Sequence, residues 1–108
     1  MSDPYLPLKV ISSSVCVGSE TEGWNLDEEA AEGDPERVFL FEVFFETPFV
    51  SPPVVQLGVT GFDLDQCSSS RLSLTAVAIT ESGFQAQLRT WRSSRVYSVD
   101  FQWMAIGS

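Results

Sequence analysis

The chain has 108 residues, 44% of them hydrophobic, which suits one β-domain with its own core and leaves no room for a second. Fifteen acidic against six basic side chains give a net charge of −9, a balance that repels phosphate backbones and anionic lipid and so argues against nucleic acid or membrane as a general partner. His is absent, which removes Ser-His-Asp and Cys-His nucleophile systems together with the usual zinc sites.

The opening Met1-Ser2-Asp3-Pro4-Tyr5 has neither the basic nor the apolar region of a secretory leader, and no apolar run approaches the roughly 18 residues of a membrane helix. A reducing setting is therefore expected, cytoplasmic or reached by non-classical release. Cys16 and Cys67 then read as two thiols, since their spacing fits no metal-ligand pattern.

In chain order, residues 8–17 are rich in branched side chains and predict an opening strand. Residues 18–36 combine Gly, Pro and acids such as Glu20, Glu22, Asp27, Glu28, Glu29, Glu32, Asp34 and Glu36. This is the longest predicted loop, read equally as a solvated connection or as a binding segment. Over 37–46, Phe39, Phe41, Val43 and Phe45 take one face, while Val38, Leu40 and Phe44 make the other apolar as well. That excess beyond one core face predicts a subunit contact, with burial under the long loop as the rival explanation.

Pro52-Pro53 breaks pairing, which resumes over 54–60 with Val55, Leu57 and Val59 inward. A turn at Ser68-Ser69-Ser70 leads to a strand over 71–80, on which Leu72, Leu74, Ala76 and Ala78 alternate with polar residues. Glu81-Ser82-Gly83 predicts a tight turn, with Gly83 available for positive φ. Over 83–92, Phe84, Ala86 and Leu88 face the core, whereas Gln85, Gln87, Arg89 and Trp91 face the other way.

Trp91 is thus an indole on a polar face, where either a covering partner or ligand or ordinary cross-strand packing must account for it. A hairpin turn at Ser93-Ser94 leads to the last strand over 96–106, with Tyr97, Val99, Phe101, Trp103 and Ala105 on one face. Short, regularly spaced strands with no helical period predict an all-β fold, a six-stranded antiparallel β-sandwich.

Among possible sites, Asp63 and Asp65 offer two hard oxygen ligands without the rest of a calcium shell, and turn capping by Asp63 is the stronger reading. Fifteen acids guarantee that some carboxylate pair is close, but nothing singles one out for glycoside hydrolysis. No phosphate-binding glycine loop is present. No metal, cofactor or catalytic residue is therefore assigned. What stands out is Arg71, Trp91, Arg92 and Tyr97: aromatic faces cover the C–H groups of sugars, and guanidinium forks engage adjacent hydroxyls.

The ordered set Phe45-Glu46-Thr47-Pro48-Phe49, Pro52-Pro53-Val54-Val55, Asp63, Arg71, Gly83-Phe84, Thr90-Trp91, Val96-Tyr97 and Trp103-Met104-Ala105-Ile106 resembles the H-type lectin domain of the snail agglutinin and discoidin kind, over about residues 37–107. The resemblance implies one lectin-like domain across 1–108, made of an N-terminal strand and long acidic loop (1–36) followed by the lectin core (37–107). It further implies a trimer, in some members paired into hexamers, binding galactose or N-acetylgalactosamine between protomers.

Carried over position by position, the family's site Arg, Trp and Tyr fall on Arg71, Trp91 and Tyr97, and its acidic contact on Asp34. The residue after the Trp, a His in the snail agglutinin, is Arg92 here, which cannot offer a neutral ring nitrogen as acceptor and shifts the expected sugar preference. Leu88 stands at the position of one cysteine of that family's intrachain disulfide, so Cys16 lacks its family partner. The expected function is a non-enzymatic lectin module that binds galactose- or N-acetylgalactosamine-type glycans at the protomer interfaces of a trimer. The alternative is an oligomerisation or assembly module, for instance in a phage-like particle, that has lost sugar binding.

Overall fold

The structure is a computed structural model that describes residues 7–28, 36–65 and 69–108; Asp34 and Cys67 lie outside them. Among the described residues there are six strands and no helix: β1 (Lys9–Gly18), β2 (Arg37–Phe44), β3 (Val54–Leu64), β4 (Ser73–Val77), β5 (Gly83–Thr90) and β6 (Val96–Gly107). They form two antiparallel three-stranded sheets, ordered β1-β6-β3 and β2-β5-β4. The predicted sandwich is this architecture.

Alternation accounts for most of the core. Phe39 and Val43 of β2, Phe84, Ala86 and Leu88 of β5, and Phe101, Trp103 and Ala105 of β6 all point inward and are buried. Sheet-on-sheet packing with side chains interdigitating across the gap follows from those inward rows. Toward one end Phe45, Phe84 and Trp103 meet at centroid distances of 5.4–6.1 Å. Val55 and Leu57 are half-buried opposite Ala105 and Trp103, while Val59, on an edge strand beside a bulge, stays 42% exposed.

Several local expectations are corrected. The 91–95 segment is not a hairpin, because β5 and β6 belong to different sheets and the chain crosses the sandwich there. Tyr97 does not share the core face. β3 pairs Asp63 with Ser98 and Leu64 with Val96, so Tyr97 is the unpaired extra residue of a bulge, and Val96 and Val99 on either side are both fully buried. β4 begins at Ser73, two residues after Arg71, and β3 extends through Asp63, which makes that residue an exposed strand position and not a turn cap. Positive φ in the β4–β5 connection falls on Ala78 (52°), not on Gly83. Gly83 is required for a different reason: a Cβ there would sit 2.1 Å from the carbonyl oxygen of Val43.

The first half of the long acidic loop is part of the core. Trp24 and Leu26 are buried, the Trp24 indole N–H donates to the carbonyl of Val96 (2.9 Å), and the Val96 amide donates to the carbonyl of Leu26 (2.8 Å). An acidic surface segment is thereby pinned against the start of β6.

Candidate functional site

The crossing from β5 to β6 organises one end of the sandwich. Arg92 adopts a left-handed backbone, φ 60°, unusual for a residue with a Cβ. Its carbonyl accepts from Nη2 of Arg37 at 2.7 Å, and Nη1 of the same guanidinium donates to the carbonyl of Glu28 at 2.5 Å. Two residues on, Ser94 is buried and donates through Oγ to the carbonyl of Ser69 (2.6 Å). Arg95 donates through Nε to the carbonyl of Asp27 (2.9 Å), and the Asp65 amide donates to the Arg95 carbonyl (3.0 Å). Backbone groups of Asp27, Asp65 and Ser69 are therefore tied to Ser94 and Arg95, and the Arg37 guanidinium is tied to Arg92.

Arg71 joins this end from the approach to β4. Its Nη1 donates to the Ser69 carbonyl (3.1 Å) and, at 3.4 Å, reaches Oγ of Ser94; its own carbonyl is held by the Thr90 hydroxyl at 2.5 Å. Trp91 follows Thr90 directly and lies just beyond the end of β5, half-buried. The Arg89 guanidinium stacks 5.1 Å from its ring and pairs with Glu36 at 3.4 Å, both side chains being about half exposed. The structure thus brings Arg71, Trp91 and Arg92 around one connection.

Tyr97 stands on the other sheet at the same end, turned out of the core by the bulge. The Arg95 guanidinium lies 5.7 Å from its ring, and Tyr97 borders an open groove of about 370 Å³ together with Cys16, Thr21, Ser98 and Asp100. Asp34 falls outside the described residues. In that groove the exposed Cys16 thiol is shifted above its ordinary pKa, first by a hydrogen bond to Asp100 and then by that carboxylate's charge.

Five of the chain's six basic residues, Arg37, Arg71, Arg89, Arg92 and Arg95, are collected at this end of a molecule with net charge −9. Half-buried aromatic faces beside guanidinium donors can cover the apolar side of a pyranose while engaging its hydroxyls. Among the described residues no group of three His, Cys, Asp or Glu could hold a metal ion.

Sequence reasoning missed two contributors. Arg37 is 6% exposed, a burial that its place at the head of a strand did not signal. Thr90 is fully buried and fixes Arg71 through its hydroxyl, where alternation alone made it one more inward residue.

Comparison with known proteins bears on the same residues. The chain is 37% identical over 76 residues to the "ATP synthase subunits region ORF 7" protein of Fuscovulum blasticum, an alignment covering 70% of this chain and 66% of that one. Two solved structures of discoidin II from Dictyostelium discoideum superpose with TM-scores of 0.77 and 0.78 at 22% identity, covering 98% and 99% of this chain. The chain corresponds to only 39% and 40% of those chains, and the likeness is one of fold. The H-type lectin domain model matches residues 40–106, a span that runs from β2 to the end of β6 and takes in Arg71, Trp91, Arg92 and Tyr97. On that match, the chain belongs to the H-type lectin domain family.

Proposed function

We propose that this chain is a non-enzymatic carbohydrate-binding module that takes galactose- or N-acetylgalactosamine-type glycans at the seams of a homotrimer. The observation that supports the reading is the fixing of Arg71 to the β5–β6 connection that carries Trp91, through Thr90 on the backbone side and Ser94 on the guanidinium side. In this reading Arg71 donates to ring hydroxyls, and Trp91 and Tyr97 form apolar walls. Asp34, from the acidic loop, accepts from a hydroxyl, and Arg92 tunes selectivity.

The seam is supported by the outer face of β2, where Leu40 and Phe44 are 48% and 76% exposed in the single chain and call for a covering subunit. Sites of this open kind bind weakly one at a time, so several on one oligomer supply retention through avidity. The test is a glycan array with the purified protein, paired with the Arg71→Ala variant on a galactose or N-acetylgalactosamine column. Retention by the parent and its loss in a folded variant is expected; equal retention by both would sink the site.

The second reading, an assembly module without sugar binding, has one specific support. The Fuscovulum relative is named for an ATP synthase subunits region and not for a sugar. An oligomer that is silent across neutral and acidic glycans would favour it.

A further inference from the structure

The structure points to Arg37 as a positioning residue for the glycan site, and we propose that its buried guanidinium sets the backbone on which Trp91 and Arg92 are presented. The inference rests on the carbohydrate reading above and assigns a residue outside the proposed contact set.

Arg37 opens β2 and pairs across the sheet with Thr90, the last residue of β5. The residue is 6% exposed, and the hydrogen bonds of its side chain among the described residues go to two carbonyls, those of Glu28 and Arg92. Among the described residues Nε is buried without a partner. A buried guanidinium with one nitrogen unpartnered carries a desolvation cost, which its bonds to the two backbone carbonyls offset. Such a local cost is expected where position matters more than stability.

The two carbonyls it bridges belong to segments 64 residues apart in sequence that the proposed site needs side by side. One lies in the acidic loop two residues after Leu26, the other follows Trp91. The Arg92 carbonyl is also the one whose residue sits at φ 60°, a conformation that a non-glycine residue leaves unless something holds it. Arg37 supplies that hold, directly to Arg92. Its strand neighbour Thr90 fixes Arg71 in the same layer. The guanidinium fork spans two acceptors at a set separation, which an ammonium cannot do.

The experiment compares the full chain with Arg37→Lys and Arg37→Met in two measurements, amide hydrogen exchange and binding of free N-acetylgalactosamine or galactose by titration. Arg37→Lys is expected to keep the fold, to speed exchange at least tenfold together in residues 24–28 and 91–96, and to weaken sugar binding at least tenfold. Arg37→Met keeps the volume and is the folded comparator where the buried ammonium is not tolerated; the same paired effects are expected of it. Faster exchange with parent-like affinity would overturn the positioning role, as would unchanged exchange in either segment of a folded variant. A parent that binds neither sugar removes the carbohydrate reading, and with it the site that Arg37 is said to position, while the exchange data alone then decide whether the clamp exists.

Discussion

The hydroxyl of Thr90 donates to the carbonyl of Arg71 across 2.5 Å, and Thr90 itself is fully buried. A strand-end side chain thereby fixes the backbone of a residue 19 positions earlier, which emerges from a segment without regular structure. Thr90→Val keeps the shape and removes the bond. Losing one partner of a buried hydrogen bond costs about 1–2 kcal/mol, so urea unfolding should shift to lower denaturant by that amount. Sugar binding should weaken as well, because Arg71 loses its anchor; a variant with parent-like affinity would separate Thr90 from the site.

Gly83 and Gly58 should respond differently to the same change. A Cβ on Gly83 meets the Val43 backbone carbonyl at 2.1 Å, a contact that only backbone movement can relieve, whereas Gly58 has nothing within 4 Å. Gly83→Ala is expected to destabilise by about 3 kcal/mol, the upper end for overpacking. Gly58→Ala should be neutral or stabilising by about 0.5 kcal/mol, since Gly in a strand interior costs conformational entropy. Thermal melts of the two variants side by side check the pair.

How much of this was readable beforehand differs by element. β2 and β5 were legible because period-two alternation survives along them, as Phe39, Phe41 and Val43 or Phe84, Ala86 and Leu88 show. Trp24 and Leu26 were not, since two apolar residues among acids carry no period, and only the bonds to Val96 reveal them as core. The turning-out of Tyr97 was hidden because a bulge is a property of pairing between β3 and β6 and leaves no mark in β6 alone. Arg71, Trp91 and Arg92 could be nominated from residue type and family likeness. The scaffold beneath them, Arg37 and Thr90, could not, because buried polar groups announce themselves only through their partners.

The thiol at Cys16 makes a pH-dependent prediction. Asp100, its cross-strand neighbour, raises its pKa by accepting a hydrogen bond from the thiol and by its negative charge, so at a given pH near neutrality less thiolate is present than on an unperturbed cysteine. Asp100→Asn removes the charge, lowers the pKa toward its ordinary value and should speed alkylation of Cys16 by iodoacetamide between about pH 7 and 8.5, where the thiolate fraction limits the rate. Above the pKa of both forms the two rates should converge. Peptide mapping keeps Cys16 distinct from Cys67, and equal rates across the range would remove Asp100 as the cause.

Phe44 and Leu40 test the subunit seam. Both project from the outer face of β2, away from the core row of Phe39, Phe41 and Val43, and both are well exposed in the single chain: Phe44 is 76% exposed and Leu40 48%. Covering a phenyl or leucyl group contributes about 1.5–3 kcal/mol per copy, and a trimer repeats that contribution at every seam. The double substitution Leu40→Ser with Phe44→Ser should therefore convert a trimer to monomers in sedimentation equilibrium while leaving the melting of each chain within a few degrees of the parent under dissociating dilution. If the proposed trimer carries the sugar sites, retention on a sugar column should fall further than a fluorescence titration with free sugar alone would indicate, because multivalency is lost. A parent that sediments as a monomer, or a double variant that stays trimeric, would place the exposed side of β2 outside the seam.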